Sequence, residues 1–278
     1  MAGRRLMSSA SLSKIVFGLV VPSAQGGLGE RVDRLASWMS ERIGLPIERR
    51  DAASYEALAA DVREGRTDVA WLPPIVYVRL GEVVTPLGSI LRGGASAYEA
   101  ALIVRASSKI RSIDALRGTR AGWVDRWSAA GFVLPRVKLA ILGVDPRTLF
   151  RTETFHGSHR SAIEALLEGA CDVAGTYAQA DEKGNVSAGA WSEIDGADVR
   201  VLATFGAIPP DVLAVRAEVA DRIRDKAFSA FKDACSDTTT PGLIRDVFGG
   251  DDLAEGLAPG YDALQKALDM ATARGLFD

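Results

Sequence analysis

Two stretches of this chain follow the same pattern at an offset of 104 residues, and this repeat limits the possible folds more than any other feature. LAADVREGRTDVAWL (residues 58–72) and AIEALLEGACDVAGTY (residues 162–177) each read as a helix, then Glu-Gly, two further residues, and Asp-Val-Ala in an apolar strand. Units of helix, glycine and strand occur in any α/β protein, so chance is one explanation. Two similar α/β lobes are the other, and the repeat favours them.

Apolar runs alternate with helical patterns through most of the sequence, which is typical of parallel sheets with crossover helices. KIVFGLVVP, LPIERRD and DVAWL read as strands in the first half, and RAGWVD, RTETFHG and CDVAGTY read as strands in the second. Gly44 ends the first helical face, and Ser54 and Ser128 stand where later helices begin. We therefore predict an α/β fold of two Rossmann-like lobes joined by two crossover segments.

Two extended runs, AYEAALIVRA and VRVLATFGAIPPDVLAVR, have polar or proline-rich ends and are interpreted as the crossover segments. We predict that residues 1–104 and 205–278 form lobe 1 and that residues 105–204 form an inserted lobe 2. The helical patterns that follow Ala217 are expected to pack on lobe 1.

The composition is that of a soluble globular protein, with 47% hydrophobic residues, 25% charged residues and a formal net charge of −3. There is no basic stripe, so nucleic-acid binding is not expected. No apolar run reaches the roughly 20 residues of a membrane-spanning helix, so direct membrane insertion is not expected. Cys171 and Cys235 lie far apart in ordinary helix and strand contexts, so no disulfide framework is predicted.

The apolar run at residues 15–21 follows Arg4 and Arg5, as the apolar part of a signal peptide would. Because the run has only about seven residues, has the β-branched character of a strand and ends at Pro22, we interpret it as a strand. The chain as written therefore carries no predicted export signal or anchor.

Tyr55 and His159 occupy equivalent positions of the repeat, and each is predicted to begin a helix. Backbone N–H groups at a helix start lack intrahelical acceptors, and the helix dipole is positive there. Since ligands of open α/β sheets bind beyond the carboxyl ends of the strands, both residues would face a crevice between the lobes. The helix start near Ser128 is a third candidate, and a small anion is the ligand that such turns favour.

The segment DRWSAAG has two interpretations. Ser128 offers a hydroxyl group to a ligand, and Ala129, Ala130 and Gly131 would let that ligand approach the backbone closely. The alternative is an ordinary helix cap, in which Ser128 or Asp125 satisfies the first turn and the alanines only favour the helix.

The two histidines form an H-x-x-H pattern at His156 and His159. A metal site needs at least a third ligand and Glu153 is the only acid nearby, so no metal is predicted and His156 is assigned a structural role. His159 can donate a hydrogen bond to an oxyanion or titrate near neutral pH. No G-x-S-x-G, P-loop or nucleophile–base pattern is visible, so no catalytic residue and no cofactor are predicted.

Aromatic residues also collect at the predicted strand ends, namely Tyr55, Tyr77, Tyr98, Trp127 and Tyr177. Any one of them is more often a core or rim residue, but several together suggest the wall of a cleft.

An ordered series of segments resembles the phosphonate/phosphate-type substrate-binding proteins of ABC transporters, which have the type II periplasmic-binding fold. The segments are FGLVVP, SYEAL, TDVAWLPPIVYV, SAYEAALIVR, SIDALRGTRAGWVD, SAAGFVLPR, FHGSHRSAIEALLEG with CDVAG, and IPPDVLAVR, over about residues 14–216. The resemblance implies two lobes that close on a small anionic ligand, with an ABC transporter permease as a partner.

The resemblance also implies roles for particular residues. Tyr55 and Tyr98 would contact the ligand from lobe 1, Ser128 would hold an anion oxygen and His159 would donate to it. Asp211, in IPPD, matches a family acid that recognises a distal amino group of the ligand. The candidate ligand-binding residues are Tyr55, Tyr98, Trp127, Ser128, Ala129, Ala130, His159 and Asp211.

This sequence departs from the family pattern at WSAAG, where Ala130 stands in place of an expected second serine. Each neutral hydrogen bond that is lost costs about 1 kcal/mol, so this alanine argues against tight phosphonate binding. Trp127 adds an apolar edge beside it, which favours a less charged or bulkier ligand.

The absence of a predicted leader leaves the compartment open. The resemblance implies the periplasm, whereas the chain as written is compatible with the cytoplasm. A cytosolic enzyme on the same fold, acting on a small carboxylated metabolite, is the main alternative function, because some menaquinone-pathway enzymes resemble type II binding proteins. A ligand-responsive regulatory protein is a further alternative.

Overall fold

The computed structural model describes residues 12–21, 27–92, 97–180 and 185–277. In these ranges the strands are β1 (Ile15–Val20), β2 (Ile47–Ala52), β3 (Val69–Leu72), β4 (Val84–Leu91), β5 (Tyr98–Arg105), β6 (Arg120–Trp123), β7 (Thr152–Phe155), β8 (Val173–Ala180), β9 (Val186–Gly189), β10 (Val199–Ile208), β11 (Val212–Arg216) and β12 (Asp252–Glu255). The helices are α1 (Leu28–Ile43), α2 (Tyr55–Arg63), α3 (Pro74–Leu80), α4 (Leu134–Ile141), α5 (Pro146–Leu149), α6 (His159–Leu167), α7 (Ala220–Ser236), α8 (Leu243–Phe248) and α9 (Tyr261–Ala273).

The strands form two sheets. The first has the order β12-β4-β11-β3-β1-β2, and the second has the order β10-β5-β8-β6-β7, with β9 paired to β8. In each sheet three neighbouring strands are parallel, β3-β1-β2 and β8-β6-β7, and antiparallel strands complete the sheet. The predicted two-sheet α/β fold is confirmed.

The 104-residue repeat is visible in the strand register. In the first sheet Phe17 of β1 pairs with Val69 of β3, and in the second sheet Ala121 of β6 pairs with Val173 of β8. The second pair lies 104 positions after the first. The two sheets therefore have the same central arrangement, as the sequence repeat predicts.

An aspartate has the same hydrogen bond in both halves of the repeat. The Asp68 carboxylate accepts the backbone N–H of Val16 at 2.9 Å, and the Asp172 carboxylate accepts the backbone N–H of Arg120 at 2.9 Å. Each acid stands just before one strand and fixes the start of the neighbouring parallel strand. These two contacts give a structural reason for the aspartate that recurs before Val-Ala in the sequence.

The chain crosses between the sheets twice, once before β5 and once after β10. Both strands belong entirely to the second sheet, whereas the predicted boundaries after residues 104 and 204 fall inside them. The crossings instead lie between β4 and β5 and between β10 and β11. Grouping the chain by sheet gives one lobe of residues 12–92 with 212–277 and another of residues 97–208, which we propose in place of the sequence-based division.

Helices cover both faces of the first sheet. α1, α7 and α8 pack on one face in a cluster of their own. α2, α3 and α9 lie in a second cluster that continues into the core around β5, β6 and α4. The side of the second sheet that faces α6 has a smaller cluster. Within the described ranges, no helix has the length and apolar character needed to span a bilayer.

The C-terminal residues contact the other lobe, which the sequence did not predict. α7 and α8 pack on the first sheet as expected, but the buried Arg136 of α4 donates to the carbonyl of Leu276 at 2.7 Å and to the Glu153 carboxylate at 2.5 Å. Phe277 lies beside Phe132, with 6.1 Å between the ring centroids. A buried guanidinium needs several acceptors, and the end of the chain provides one of them.

The interpretation of residues 15–21 as a strand is supported, since β1 occupies most of this run. Arg4, Arg5 and Pro22, on which the comparison with a signal peptide also rested, lie outside the described residues. Cys171 is buried, as expected for a small core residue, and both cysteines are free.

We predict that Asp172→Ala lowers the free energy of unfolding by about 1 to 3 kcal/mol, because it leaves the Arg120 N–H and guanidinium without their acceptor. Urea denaturation measures the effect. Asp195→Ala, at an exposed position, is the control and should change stability by less than about 0.5 kcal/mol. Equal effects of the two substitutions would contradict the structural role of Asp172.

Candidate ligand-binding cleft

A cleft of about 510 Å³ lies between the two sheets and is lined by residues of both. Most of the candidate residues line it, namely Tyr55, Tyr98, Ser128, Ala129, His159 and Asp211. Trp127 and Ala130 are not among the residues that line it. A cleft of this size, with polar groups on apolar walls, is typical of a small-molecule site.

Capping serines place Tyr55 and His159 at equivalent positions. The Ser54 hydroxyl accepts the N–H of Ala57 at 3.1 Å, and the Ser158 hydroxyl accepts the N–H of Ser161 at 3.0 Å. Both capping residues have an extended backbone, so the chain turns sharply from strand to helix. Tyr55 and His159 are consequently the first helical residues on opposite sides of the cleft.

Ser128 caps a helix as well, so the capping interpretation is confirmed. Its hydroxyl accepts the N–H of Gly131 at 3.0 Å, and only 3% of the residue is exposed. The residues after it form a π-helical turn, Ala129–Val133, before α4. A serine that accepts in a cap still has its own proton to donate, so the cap leaves Ser128 able to bind an anion.

The small residues after Ser128 have packing reasons. Ala130 is 2% exposed and lies behind the cleft wall. A Cβ atom on Gly131 would lie 2.3 Å from Cγ2 of Val124 and 2.8 Å from Oγ of Ser128. Gly131 therefore keeps the turn against the preceding strand, and Ala129 is the small residue here that borders the cleft.

His159 is held as a neutral hydrogen-bonding group. Its Nδ1 lies 3.0 Å from the hydroxyl of the fully buried Thr176, and its ring meets the Tyr177 ring edge-on at 5.0 Å. Burial, together with the positive charge of Arg92, lowers the pKa of His159 to about 4. A neutral imidazole whose Nδ1 accepts the threonine proton donates from Nε2.

An ion pair lies in the cleft where the two crossings meet. Arg92 donates to the Asp211 carboxylate at 2.8 Å and to the carbonyl of Phe248 at 3.0 Å. Burial alone would lower the pKa of the Arg92 guanidinium, but the charge and hydrogen bond of Asp211 raise it above its ordinary value. No sequence motif marks Arg92. The signal that could have found it is that Asp211, 9% exposed, needs a cation or donors nearby.

Three tyrosines form the aromatic part of the cleft wall. Tyr55, Tyr98 and Tyr177 all line it, and the rings of Tyr98 and Tyr177 meet edge-on at 6.2 Å. Burial raises the pKa of each phenol, and the charge of a nearby acid raises it further. The phenols therefore stay protonated at neutral pH. Tyr177 donates to the Glu193 carboxylate at 2.8 Å, and Tyr55 and Tyr98 can donate to a ligand.

The other predicted wall residues lie elsewhere. Tyr77 packs edge-on against Tyr261 at 5.1 Å, in the core cluster rather than in the cleft lining. Trp127 lies under the guanidinium of Arg79, which is 4.3 Å from the ring centroid. Trp127 therefore joins the two lobes rather than bordering the cleft.

Asp125 adds a second direct contact between the lobes. Its carboxylate accepts the backbone N–H of Trp127 at 2.7 Å and also a hydrogen bond from the backbone of Tyr55. Burial raises the pKa of Asp125, although these two hydrogen bonds oppose the rise. An acid of one lobe thus binds the first turn of α2 in the other.

Residues 18–255 match the family described as ABC transporter, phosphonate, periplasmic substrate-binding protein. The chain belongs to this family. The resemblance of the sequence segments is thereby confirmed, and so is the solute-binding role of the fold.

Solved structures of phosphonate-binding and related proteins have the same fold. A binding protein component of an ABC phosphonate transporter from Pseudomonas aeruginosa has 18% identity and a TM-score of 0.75, covering 95% of this chain and 97% of that one. PhnD1 from Prochlorococcus marinus, in complex with methylphosphonate, has 14% identity and a TM-score of 0.76, with coverages of 94% and 98%. XAC2383 from Xanthomonas citri, bound to ATP, has 19% identity and a TM-score of 0.73, with coverages of 95% and 98%.

His159→Gln is expected to reduce the loss of stability on acidification. The pKa of His159 is about 4 in the folded protein and near 6.5 when unfolded, so between these values the unfolded state binds the proton more readily. This group therefore lowers stability as pH falls from 6.5 to 4 and has no effect above 6.5. A neutral glutamine should remove on the order of 1 to 3 kcal/mol of that loss.

Urea denaturation of both proteins at pH 7, 6, 5 and 4 measures this difference. The stability of the wild type should fall relative to that of the variant as the pH falls from 7 to 4. Parallel curves would show that His159 is not held neutral by its surroundings.

Proposed function

We propose that this phosphonate-family protein closes on a small oxyanion, namely phosphate, phosphite or an organophosphonate, and passes it to an ABC transporter permease or acts as a sensor. One observation supports this proposal above all. The helix starts at Tyr55, Ser128 and His159 come from both lobes and line one cleft. Helix dipoles that converge in this way, with the first-turn N–H groups that Asp125 and the capping serines do not occupy, favour a negatively charged ligand.

The side chains around these turns are mostly donors. The hydroxyls of Tyr55, Tyr98 and Ser128 and the neutral His159 can each give a proton to an acceptor oxygen, whereas Tyr177 donates its proton to the Glu193 carboxylate at 2.8 Å. The charged residues of the lining are Arg31, Arg92, Arg160 and Arg245 together with Glu193, Asp211 and Asp246. Arginine is the more frequent charge, and its planar fork suits phosphonate and phosphate oxygens.

We propose binding without a chemical step. An enzyme needs an activated nucleophile or an acid–base group, and His159 is the imidazole that borders the cleft within the described ranges. Its Nδ1 is hydrogen-bonded to a threonine rather than to an acid, so it lacks the carboxylate partner of a catalytic triad. Solute binding is thus the simpler use of these groups.

Isothermal titration calorimetry with phosphate, phosphite, methylphosphonate and 2-aminoethylphosphonate tests the proposal. We expect micromolar or tighter binding of at least one of them. Ser128→Ala and His159→Ala should each weaken it by about 5- to 30-fold, since each removes one donor worth about 1 to 2 kcal/mol.

Ser37→Ala is the matched control, because Ser37 is exposed on α1, and it should leave the affinity unchanged. No binding across the four anions, together with turnover of a carboxylated metabolite, would instead favour the enzyme.

A further inference from the structure

The acid that could recognise a positively charged ligand group is already paired. Asp211 is buried, and its carboxylate lies 2.8 Å from the guanidinium of Arg92. The backbone holds this pair in place, because Ile90 donates to the carbonyl of Asp211 at 3.0 Å and Arg92 donates to Phe248. An ammonium group on a ligand would have to displace Arg92, and it would meet the positive charge of Arg92 on the way.

Arg92 also lines the cleft together with residues of the second sheet. Its charge acts on His159 and on the phenols of Tyr98 and Tyr177, which belong to the second sheet. Arg92 itself follows β4 of the first sheet, at the first crossing. The cation therefore lines the same cleft as the proposed anion-binding turns, and its charge reaches His159 at one of them.

Two further arginines extend the positive charge on the side of the first lobe. Arg31 of α1 and Arg245 of α8 line the cleft, and within the described residues neither side chain has a hydrogen-bond or ion-pair partner. The Nε atom of Arg31 is buried and unpaired. Asp246, the acid beside them, is paired with Arg34 at 3.4 Å. At this end of the cleft the arginine side chains therefore outnumber the carboxylates that could neutralise them.

The cleft is larger than a simple oxyanion needs. Cavities of about 300 to 1,000 Å³ hold molecules of drug size, and this cleft has a volume of about 510 Å³. Trp71 lines the same end, and its ring meets the Phe248 ring edge-on at 4.7 Å. There is consequently room for an organic substituent, with an apolar wall beside the arginines.

We propose that Arg92 determines the ligand class, so that the protein selects a phosphonate or phosphate monoester whose organic part ends in a second acidic group and rejects one that ends in an amino group. This inference rests on the proposed function. It also changes the role expected for Asp211, which orients Arg92 and partly balances its charge instead of binding a ligand amine.

Three ligands of matched length test the proposal in calorimetry. They are 3-phosphonopropionate, propylphosphonate and 3-aminopropylphosphonate. We expect the carboxylate to bind at least tenfold more tightly than the propyl compound and the amine to bind most weakly. If propylphosphonate binds and the amine binds at least as tightly, the inference is overturned. It is also overturned if the carboxylate binds no more tightly than propylphosphonate. In both cases the proposed function stands. No binding of any phosphonate or of phosphate overturns both.

Arg92→Gln tests the residue itself. It removes the cation and frees Asp211, so the ratio of the carboxylate to the amine affinity should fall at least tenfold. Arg92→Lys keeps the charge and should keep the order of the three ligands. An unchanged ratio in a folded Arg92→Gln protein, checked by its circular dichroism and melting curve, overturns the assignment.

Arg31→Gln provides a second test in case Arg92→Gln does not fold, because it leaves the ion pair of Arg92 and Asp211 intact. The ratio of carboxylate to propylphosphonate affinity should fall several-fold. Arg224→Gln, an exposed change on α7, is the control and should leave that ratio as it is. Equal ratios in the two variants would overturn the role of this end of the cleft.

Discussion

A helix leaves the N–H groups of its first turn without intrahelical acceptors, and the cleft depends on three such turns meeting between two sheets. The turns meet because the central strands of the two sheets have the same arrangement. Asp68 and Asp172 fix equivalent parallel strands in the two sheets, and Ser54 and Ser158 cap equivalent helices. A repeated β-α unit thereby places two equivalent helix starts opposite each other, and the π-helical turn after Ser128 adds the third.

The pair of Arg92 and Asp211 gives this cleft its particular charge. Ion pairs that are partly removed from water add little net stability, because desolvation offsets much of their attraction, so stability alone is a weak reason for the pair. Its place at both crossings suggests a different role. It fixes a cation beside the proposed anion site and makes the neighbouring acid unavailable to a ligand. The turns favour an anion in general, whereas Arg92 selects among anions.

Much of the fold could be predicted from the sequence, because apolar periodicity and capping residues act locally. Tyr55 and His159 were placed correctly at helix starts because Ser54 precedes a helical face and His159 is the equivalent of Tyr55 in the repeat. The sheets lead us to propose other lobe boundaries than the sequence did, because an apolar run predicts a strand but does not say which sheet it joins. Trp127 was expected in the cleft because it adjoins Ser128, but it packs under an arginine of the other lobe. Arg92 was missed because its partner is 119 residues away.

A crystal structure of the protein grown with methylphosphonate tests the central claim most directly. The expected result is a phosphonate group between the lobes, within hydrogen-bonding distance of Ser128, of His159 and of the backbone N–H of Glu56, the first-turn N–H of α2 that neither Asp125 nor Ser54 accepts. Both lobes would then supply donors to one anion. A phosphonate bound outside the cleft, or held by residues of one sheet only, would contradict the claim.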